Sequence, residues 1–266
     1  AANDNMCLGK LSVDGVKSGS VNIVAEPYIS TGVAVNGNEI KLPLQPRAPG
    51  AGSRSGARVY FADSCQEGKY DPDTYSNWQL WNRTISFTVD LSGVSCGCNL
   101  AFYLVSMRQN NIAGRSGQGS YYCDAQPTAD AVCPEFDMME ANKHGWRTTA
   151  HQMYDGGGAG DGVGSGHVFS ASEYGPGASH VDTNQPFRAS ISFATDPHGR
   201  VEDVFLSLPG KQTLPASVLP KDYAISRTYP LQAGMTPVVA HLTSLNLMWP
   251  TPRGAARESG MPIHRH

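Results

Sequence analysis

The sequence lacks several features that mark familiar classes of protein. It has no apolar run of about 18 residues, so it contains no predicted transmembrane helix, and we expect no membrane partner. The first ten residues, AANDNMCLGK, lack the apolar core of a signal peptide, so either a signal segment has been removed or there never was one. Charged residues make up only 16% of the chain and the net charge is −3, so we expect no nucleic-acid partner. Cysteine pairs at zinc spacing are absent, and we expect neither a metal nor another cofactor.

Helical periodicity is weak as well, whereas strand patterns and turn residues are plentiful. The 29 glycines and 18 prolines suit many short strands joined by turns. No internal repeat or break in composition marks a domain boundary. The patterns predict an all-β fold: one β-jelly-roll domain over residues 1–266, built from two antiparallel sheets. Apolar residues alternate or run together at 38–44, 57–62, 85–91, 100–107, 167–172, 187–195, 201–208 and 235–244, and the glycine-rich stretch 155–166 is predicted to be a loop.

The cysteine content favours an oxidising compartment. Six cysteines permit three disulfides in 15 possible connectivities. The sequence also carries one N-glycosylation sequon, Asn82-Arg-Thr84, which is glycosylated only on a secretory route. These features favour a secreted, extracellular protein over a cytosolic one with six free thiols.

Three carboxylates lie within six residues of the segment CPEFDMMEAN (133–142). On a strand, Glu135 and Asp137 share a face, whereas Glu140 points the other way. A β-bulge between them would add one residue and return Glu140 to the same face. Three acids on one face repel and push their pKa values apart, an arrangement that suits acid/base catalysis. The apolar residues between them predict that the opposite face lies in a core, which favours a catalytic strand over a solvated acidic edge.

Several segments together resemble one family. The segment EFDMMEAN (135–142) resembles the E-x-D-x-x-E-A-N catalytic strand of the glycoside hydrolase family 7 cellulases, a jelly-roll family of cellobiohydrolases and endoglucanases. The segments CGCNLAFYLVSM (96–107) and YYCDAQ (121–126) resemble two further motifs of that family in the same order. The resemblance covers roughly residues 15 to 250, and several motifs in one order are far more specific than the acidic motif alone.

The resemblance implies a role for each acid. Glu135 is expected to be the nucleophile, Glu140 the general acid/base, and Asp137 the partner that orients and tunes them. The physics agrees, because a retaining glycosidase needs two carboxyls about 5–5.5 Å apart, one ionised and one protonated.

The resemblance also implies a set of residues around the acids. Asn99 and Tyr103 are expected to reach sugar hydroxyls or the nucleophile. Tyr122, Asp124 and Gln126 alternate along the chain, and they are expected to contact sugars or to support the residues that do. His151 is expected to contact the substrate. Trp249 is expected to stack on a sugar ring, and Trp146 is the other stacking candidate.

The resemblance further implies a disulfide between Cys123 and Cys133, joining the 121–126 turn to the catalytic strand. The family-like partner of Cys96 and Cys98 would lie beyond residue 266. We therefore expect those two cysteines to pair with Cys7 or Cys65, with no basis for a choice.

The departures from the family pattern leave alternatives open. The resemblance implies a catalytic domain with a concave substrate cleft. Because the sequence is short for the loops that roof a substrate tunnel, we expect this cleft to be open and the protein to cut a β-1,4-linked polysaccharide such as cellulose internally. We also expect a monomer.

Basic residues follow the acids where neutral ones are expected, which makes Arg147 a further substrate-binding candidate. They favour an anionic substrate and suggest a polysaccharide lyase that cleaves alginate or glucuronan by β-elimination. Its neutralising cations would be Lys143, Arg147 and Arg108, and its proton-abstracting groups Tyr103, Tyr154 or His151. A non-catalytic glycan-binding protein is the third alternative, although it does not need Glu135 and Glu140 together.

Overall fold

The structure, a computed structural model, describes most of the chain up to residue 243. The described residues are 5–26, 32–43, 56–95, 97–113, 119–126, 131–154, 163–164, 169–198, 201–210, 213–214 and 230–243. Within them the strands are, in chain order, β1 (Cys7–Ser12), β2 (Ser20–Ala25), β3 (Ala34–Asn36), β4 (Glu39–Lys41), β5 (Gly56–Ala62), β6 (Arg83–Val89), β7 (Cys98–Val105), β8 (Glu135–Asn142), β9 (Gly145–His151), β10 (Val163–Gly164), β11 (Tyr174–Gly175), β12 (Val181–Asp182), β13 (Phe187–Thr195), β14 (Val201–Ser207), β15 (Thr213–Leu214) and β16 (Thr236–Thr243). Short 3-10 helices occupy Pro72–Thr74 and Met107–Gln109.

Two antiparallel sheets make up the body of the fold. Eight strands form the large sheet in the order β1-β2-β5-β16-β7-β8-β9-β10, and four form the small sheet in the order β15-β14-β13-β6. Strand β16 lies between β5 and β7, so a late segment of the chain completes the middle of the large sheet. Pairing of strands that are distant in sequence is typical of a β-jelly-roll sandwich, and the predicted fold class is confirmed. That residues 1–266 form a single domain stays a prediction.

The core lies between the two sheets. Strand β13 alternates buried apolar residues with more exposed ones, which gives it one apolar face. Phe193 of that face contacts Phe136 of β8 across the sandwich, with ring centroids 5.4 Å apart. The other buried residues of β13 that belong to this cluster are Phe187, Ala189 and Ile191.

The large sheet is also covered on its opposite face. A second apolar cluster packs there, and it includes residues from β5, β7 and β16 together with the segments 119–126 and 131–133. Strand β5 is buried along its whole length, because its two faces enter different clusters. We call this second face of the large sheet the acid face, because it also carries Glu135, Asp137 and Glu140.

Two secondary-structure predictions are wrong in their described parts. Residues 169–172 were expected within a strand, but they lie in a turn that Ser170 closes with Glu173: the Ser170 amide donates to Glu173 Oε2 at 2.8 Å, and the Glu173 amide donates to the Ser170 carbonyl at 3.0 Å. Within the predicted glycine-rich loop, Val163 and Gly164 form β10 against β9. The rest of both segments lies outside the described residues.

The predicted partners of Cys7 and Cys65 are wrong, because the structure joins these two cysteines to each other. The carboxylate of Glu67 accepts the backbone amides of Met6 and Cys7 at 2.8 and 2.9 Å, which holds the 65–67 segment against the start of β1. Cys98 begins β7, four strands from β1 in the sheet, or about 19 Å at the usual strand spacing. A disulfide bridges less than about 7 Å between Cα atoms. Cys98 is a buried free thiol, and Cys96 lies outside the described residues.

Candidate active site

The acids share one face because β8 contains a bulge. Phe102 of β7 pairs with Met139, and the next residue, Tyr103, pairs with Asp137, so Met138 is the extra residue. The pairing of β8 with β9 shifts at the same place. The bulge predicted from the sequence is therefore confirmed, and it restores Glu140 to the face of Glu135 and Asp137.

The opposite face of β8 is anchored in the core. Phe136, Met138, Met139 and Ala141 are all buried there. The bulge leaves the carbonyl of Met138 without its usual strand partner, and Thr148 Oγ1 donates a hydrogen bond to it at 2.9 Å. Buried apolar side chains and this hydrogen bond fix the direction in which the three acids point.

Each acid has its own neighbour on the acid face. Glu135 Oε2 accepts the backbone amide of Ala125 at 3.1 Å. Asp137 Oδ2 lies 3.2 Å from His151 Nε2, and this histidine pairs with Glu135 in the strand register. The family resemblance predicts that His151 contacts the substrate; the structure shows it in contact with Asp137.

The third acid is held from the other side. Asn99 Nδ2 donates to Glu140 Oε1 at 2.9 Å, so Asn99 reaches this acid rather than Glu135. Arg147 pairs with Glu140 in the register of β8 and β9. Glu135 and Glu140 are partly exposed, whereas Asp137 between them is buried.

Burial raises the pKa of all three carboxyls. Repulsion from Asp137 and Asp124 raises the pKa of Glu135 further, and the Ala125 amide and His151 oppose this. After burial, Glu140 and Asp124 raise the pKa of Asp137, and Arg147 opposes them. A cluster of this kind holds protons at a pH at which isolated carboxyls have lost them.

Three neighbouring residues lower the pKa of Glu140 and so oppose the effect of burial. Burial raises its pKa, while the Asn99 hydrogen bond and the charges of His151 and Arg147 lower it. Glu140 and Glu135 thus both combine partial exposure with a raised pKa, which is a property that a proton donor needs.

A hydrogen-bonded chain links Tyr103 of β7, which lies opposite Asp137 in the strand register, to a neighbouring loop. The hydroxyls of Tyr103 and Tyr122 lie 2.9 Å apart, and Tyr122 donates to Asp124 Oδ2 at 3.0 Å. Asp124 Oδ1 in turn accepts the backbone amide of Gln126 at 2.9 Å. Tyr103, Tyr122 and Asp124 are buried and Gln126 is partly buried, so the structure places the first three behind the acids.

The disulfide between Cys123 and Cys133 is present and closes this loop. The Cys133 amide donates to the carbonyl of Asp124 at 2.9 Å, which lays the loop against the start of β8. The Ala125 amide that reaches Glu135 belongs to the same loop.

The acid face also holds a buried ion pair that the sequence patterns do not predict. Arg58 of β5 lies 3.2 Å from Glu26, and its guanidinium sits 4.0 Å from the centroid of the Tyr122 ring. Both charged residues are buried, and the guanidinium packs on the ring of Tyr122 while the hydroxyl of that tyrosine donates to Asp124. An arginine in the middle of the otherwise apolar strand GARVYFA was the signal available in the sequence.

The other predicted residues lie in varied places. Trp146 is not a stacking residue: it is 3% exposed and packs in the core against Phe87, because the alternation of β9 points it away from the acids. Tyr154 is exposed and has a positive φ of 68°. Asn82 is exposed in the turn before β6, and Trp249 lies outside the described residues.

The part of the chain that the structure describes holds neither a candidate metal site nor a candidate membrane-spanning helix. Among its residues, no three histidine, cysteine or acidic side chains are grouped so as to hold a metal ion. None of the helices in that part of the chain is long and apolar enough to cross a bilayer.

Comparisons with known proteins agree with this geometry. The sequence model of glycosyl hydrolase family 7 matches residues 18–166. The chain is 32% identical over 194 residues to endoglucanase EG-1 of Hypocrea jecorina, covering 64% of this chain and 40% of that protein. It is 28% identical over 238 residues to endo-beta-1,4-glucanase celB of Emericella nidulans, covering 71% of this chain and 52% of the relative. The chain thus spans about half the length, or less, of these curated relatives.

A solved structure shares the fold at low sequence identity. The family 7 cellobiohydrolase of Daphnia pulex superposes with a TM-score of 0.55 at 19% identity, covering 80% of this chain and 68% of that one. Since the family model matches more than half of the sequence, this chain belongs to glycosyl hydrolase family 7.

Proposed function

We propose that this protein is a retaining glycoside hydrolase that cleaves β-1,4-linked glucan within the chain, with Glu135 as nucleophile and Glu140 as general acid/base. The observation that carries the proposal is the bulge at Met138, which brings Glu135, Asp137 and Glu140 onto one face. A bulge in the middle of a sheet interrupts the hydrogen bonds between strands and so lowers stability. Here the bulge aligns the three acids on one face.

The spacing of the two glutamates fits this chemistry. Glu135 and Glu140 pair with Val105 and Ala101, four residues apart on β7. Four residues of strand span about 13 Å. Glutamate side chains extend several ångströms from the backbone, so two that lean toward each other over Asp137 would bring their carboxyls to the roughly 5–5.5 Å that a retaining mechanism uses.

The reaction proceeds in two steps. Glu140 donates its proton to the glycosidic oxygen while the carboxylate of Glu135 attacks the anomeric carbon, which breaks the glycosidic bond and forms a glycosyl ester. Glu140, now ionised, takes a proton from a water molecule whose oxygen attacks the same carbon and releases Glu135. The amide of Ala125 favours the ionised form of Glu135, both before attack and as leaving group.

Asp137 and its neighbours position the two glutamates. Asp137 lies between them, and its contact with His151 restrains its side chain. Tyr103, Tyr122 and Asp124 hold the loop that supplies the Ala125 amide. Asn99 orients Glu140 by donating to one carboxylate oxygen, which leaves the other for the substrate.

The substrate and mode of action follow from the relatives and the sequence. The two curated relatives described above are named endoglucanases, which supports internal cleavage of β-1,4-glucan. The turn between β8 and β9 has only two residues, Lys143 and His144, so this hairpin supplies no long covering loop over the acid face. We further propose that the protein is a monomer with an open cleft, and that it works in a secreted, extracellular environment, in which disulfides such as Cys7–Cys65 and Cys123–Cys133 form.

The comparisons do not favour the lyase and glycan-binding alternatives. A tyrosine base in β-elimination must give up its proton, yet burial raises the pKa of Tyr103 far above its ordinary value. Arg108 is held by Asp63 and by the carbonyl of Tyr75, both at 3.2 Å, so its charge serves the fold.

The test compares Glu135→Gln and Glu140→Gln with the surface variant Glu39→Gln on soluble mixed-linkage glucan. Each of the first two is expected to lower turnover by orders of magnitude while the circular dichroism stays that of the wild type, and the third is expected to change it little. If Glu135→Gln keeps more than about a tenth of the wild-type turnover, the assignment is wrong. Reducing ends are measured beside viscosity, which falls early under internal cleavage; dimers released from the start with constant viscosity would contradict endo action.

A further inference from the structure

An exposed tryptophan lies beside the glycosylation sequon, at the tip of a tight turn. Residues 80–83 form this turn, and the Arg83 amide closes it by donating to the carbonyl of Leu80 at 3.1 Å. Both ends are fixed, because Leu80 is buried in the core and Arg83 begins β6 opposite Phe193 of β13. Trp81 and Asn82 lie between these ends, and both are exposed.

The backbone of the turn accounts for the asparagine but not for the tryptophan. Asn82 is the third residue of the turn and has a φ of 47°, a conformation that asparagine tolerates better than most residues. Trp81 is 42% exposed, whereas Trp78 and Trp146, the other tryptophans that the structure describes, are partly buried and buried. Small or polar residues usually fill a turn, so the indole of Trp81 is an apolar surface that the turn itself does not need.

A glycan on Asn82 fits this surface by position and by chemistry. All three residues of the sequon, Asn82–Thr84, are exposed. Adjacent Cα atoms are about 3.8 Å apart, so a sugar attached to Asn82 begins within reach of the Trp81 ring. The pyranose ring of N-acetylglucosamine presents C–H groups on one face, and the flat apolar face of an indole packs well on such a surface.

The turn also lies away from the acids. It leads into β6 of the small sheet, whose apolar residues pack against the core side of the large sheet. The acid face is the other side of the large sheet, and a separate apolar cluster covers it. A glycan at the start of β6 therefore leaves the proposed cleft open.

We propose that Asn82 carries an N-linked glycan whose first N-acetylglucosamine packs on Trp81, so that the modified turn adds to the stability of the fold. The inference goes beyond the hydrolase function and rests only on the secretory route proposed above. In the modification Asn82 Nδ2 forms a bond to C1 of N-acetylglucosamine, the lipid diphosphate of the oligosaccharide donor leaves, and the nitrogen gives up one proton.

The first measurement is the mass of the intact protein secreted from yeast. The sequence has a single sequon, so an N-glycan in this mass reports on Asn82. The wild type and Thr84→Ser, which keeps the sequon, are expected to carry one glycan, and Thr84→Ala none. A wild-type protein secreted without a glycan overturns the inference.

The second measurement is a double-mutant cycle in urea unfolding. Trp81→Ala is expected to lower the folding equilibrium constant about fivefold in the glycosylated protein, the scale of one aromatic contact, and to change it little in the Thr84→Ala background. Thr84→Ala also removes a hydroxyl contact with Ser192 at 2.9 Å, but this loss is common to both arms of the cycle and cancels. An equal effect of Trp81→Ala in both backgrounds overturns the inference.

The third measurement reads the covering of Trp81 directly. Oxidation by N-bromosuccinimide, followed by peptide mapping, should modify Trp81 several-fold more slowly in the wild type than in Thr84→Ala, whereas the buried Trp146 should resist in both. If a variant is not secreted, the wild type before and after enzymatic removal of the glycan gives the same comparison. Equal oxidation of Trp81 in the two forms overturns the inference. Thr84→Ala should still cleave mixed-linkage glucan at the wild-type rate, so the hydrolase assignment stands or falls separately.

Discussion

Glu135→Gln is predicted to stabilise the protein at neutral and higher pH. In the native state Glu135 lies among Asp137 and Asp124, and its pKa is raised by burial and by their charges. Two carboxylates about 6.6 Å apart, the distance of two strand residues, repel by about 2.5 kcal/mol at an effective dielectric constant of about 20. The amide keeps the volume of the side chain and an oxygen that can accept the Ala125 amide. The weaker hydrogen bond to this neutral acceptor costs about 1 kcal/mol, which leaves a net gain of about 1 to 2 kcal/mol.

The sign of the pH dependence follows from the raised pKa. In the unfolded chain Glu135 loses its proton near its ordinary pKa of about 4.3, whereas the native state holds that proton to higher pH. Native stability therefore falls as the pH rises above about 4.3, and a glutamine, which does not titrate, escapes this loss. The gain from Glu135→Gln should be present at pH 8 and absent at pH 4.

Urea unfolding of the oxidised protein at these two pH values measures the effect, with Glu39→Gln as the matched control. Glu39 is exposed on β4 beside Lys41, so its variant should stay within about 0.5 kcal/mol of the wild type at both pH values. A Glu135→Gln variant that is destabilised at pH 8, or equally stabilised at pH 4 and pH 8, would refute the reasoning that the acids repel in the native state.

Three further predictions concern the support of the acids. Removing the hydrogen bond to Glu140 with Asn99→Ala should raise the pKa of that acid, and the alkaline limb of the profile of kcat/KM against pH should move to higher pH; a limb that stays or moves down contradicts the contact. Deleting Met138 should convert β8 into a regular strand in which Glu135, Asp137 and Glu140 still share a face, because EFDMEAN alternates strictly, so cooperative unfolding should persist; a deletion variant that no longer unfolds cooperatively would contradict the assignment of Met138 as the extra residue. The double variant Cys123→Ala/Cys133→Ala should lower the free energy of unfolding in urea by up to about 3 kcal/mol, because the disulfide closes a short loop. It should also lower kcat, because the loop that holds the nucleophile is released. An unchanged kcat would contradict that positioning role.

The part of the site on one strand could be predicted from the sequence. The alternation of acids and apolar residues in 135–142 required a bulge if all three acids were to share a face, and the structure has it at Met138. The long strands β5, β6, β7, β13, β14 and β16 carry clear apolar patterns, and they were found within a few residues of their observed bounds. Local periodicity is enough for such features because each depends on one segment alone.

Features that depend on distant segments were missed or wrong. The pairing of Cys7 with Cys65 depends on Glu67 reaching the backbone of β1, a contact that no spacing of cysteines encodes. The buried pair of Arg58 and Glu26 joins β5 to the residue directly after β2, and the sequence does not show that these two strands pair. The residue type of Trp146 suggests a role in stacking on a sugar, but the register of β9 against β8 places this side chain in the core.

The central claim is that Glu135 forms a covalent bond to the sugar, and trapping that intermediate tests it most directly. Incubation with 2,4-dinitrophenyl 2-deoxy-2-fluoro-β-cellobioside should form an ester that hydrolyses slowly, because the fluorine disfavours the transition state of both steps. Mass spectrometry of the intact protein should show the addition of one fluorocellobiosyl group, and peptide mapping should place it on Glu135. A label on Glu140 or Asp137, or no label on a protein that still cleaves mixed-linkage glucan, would contradict the account.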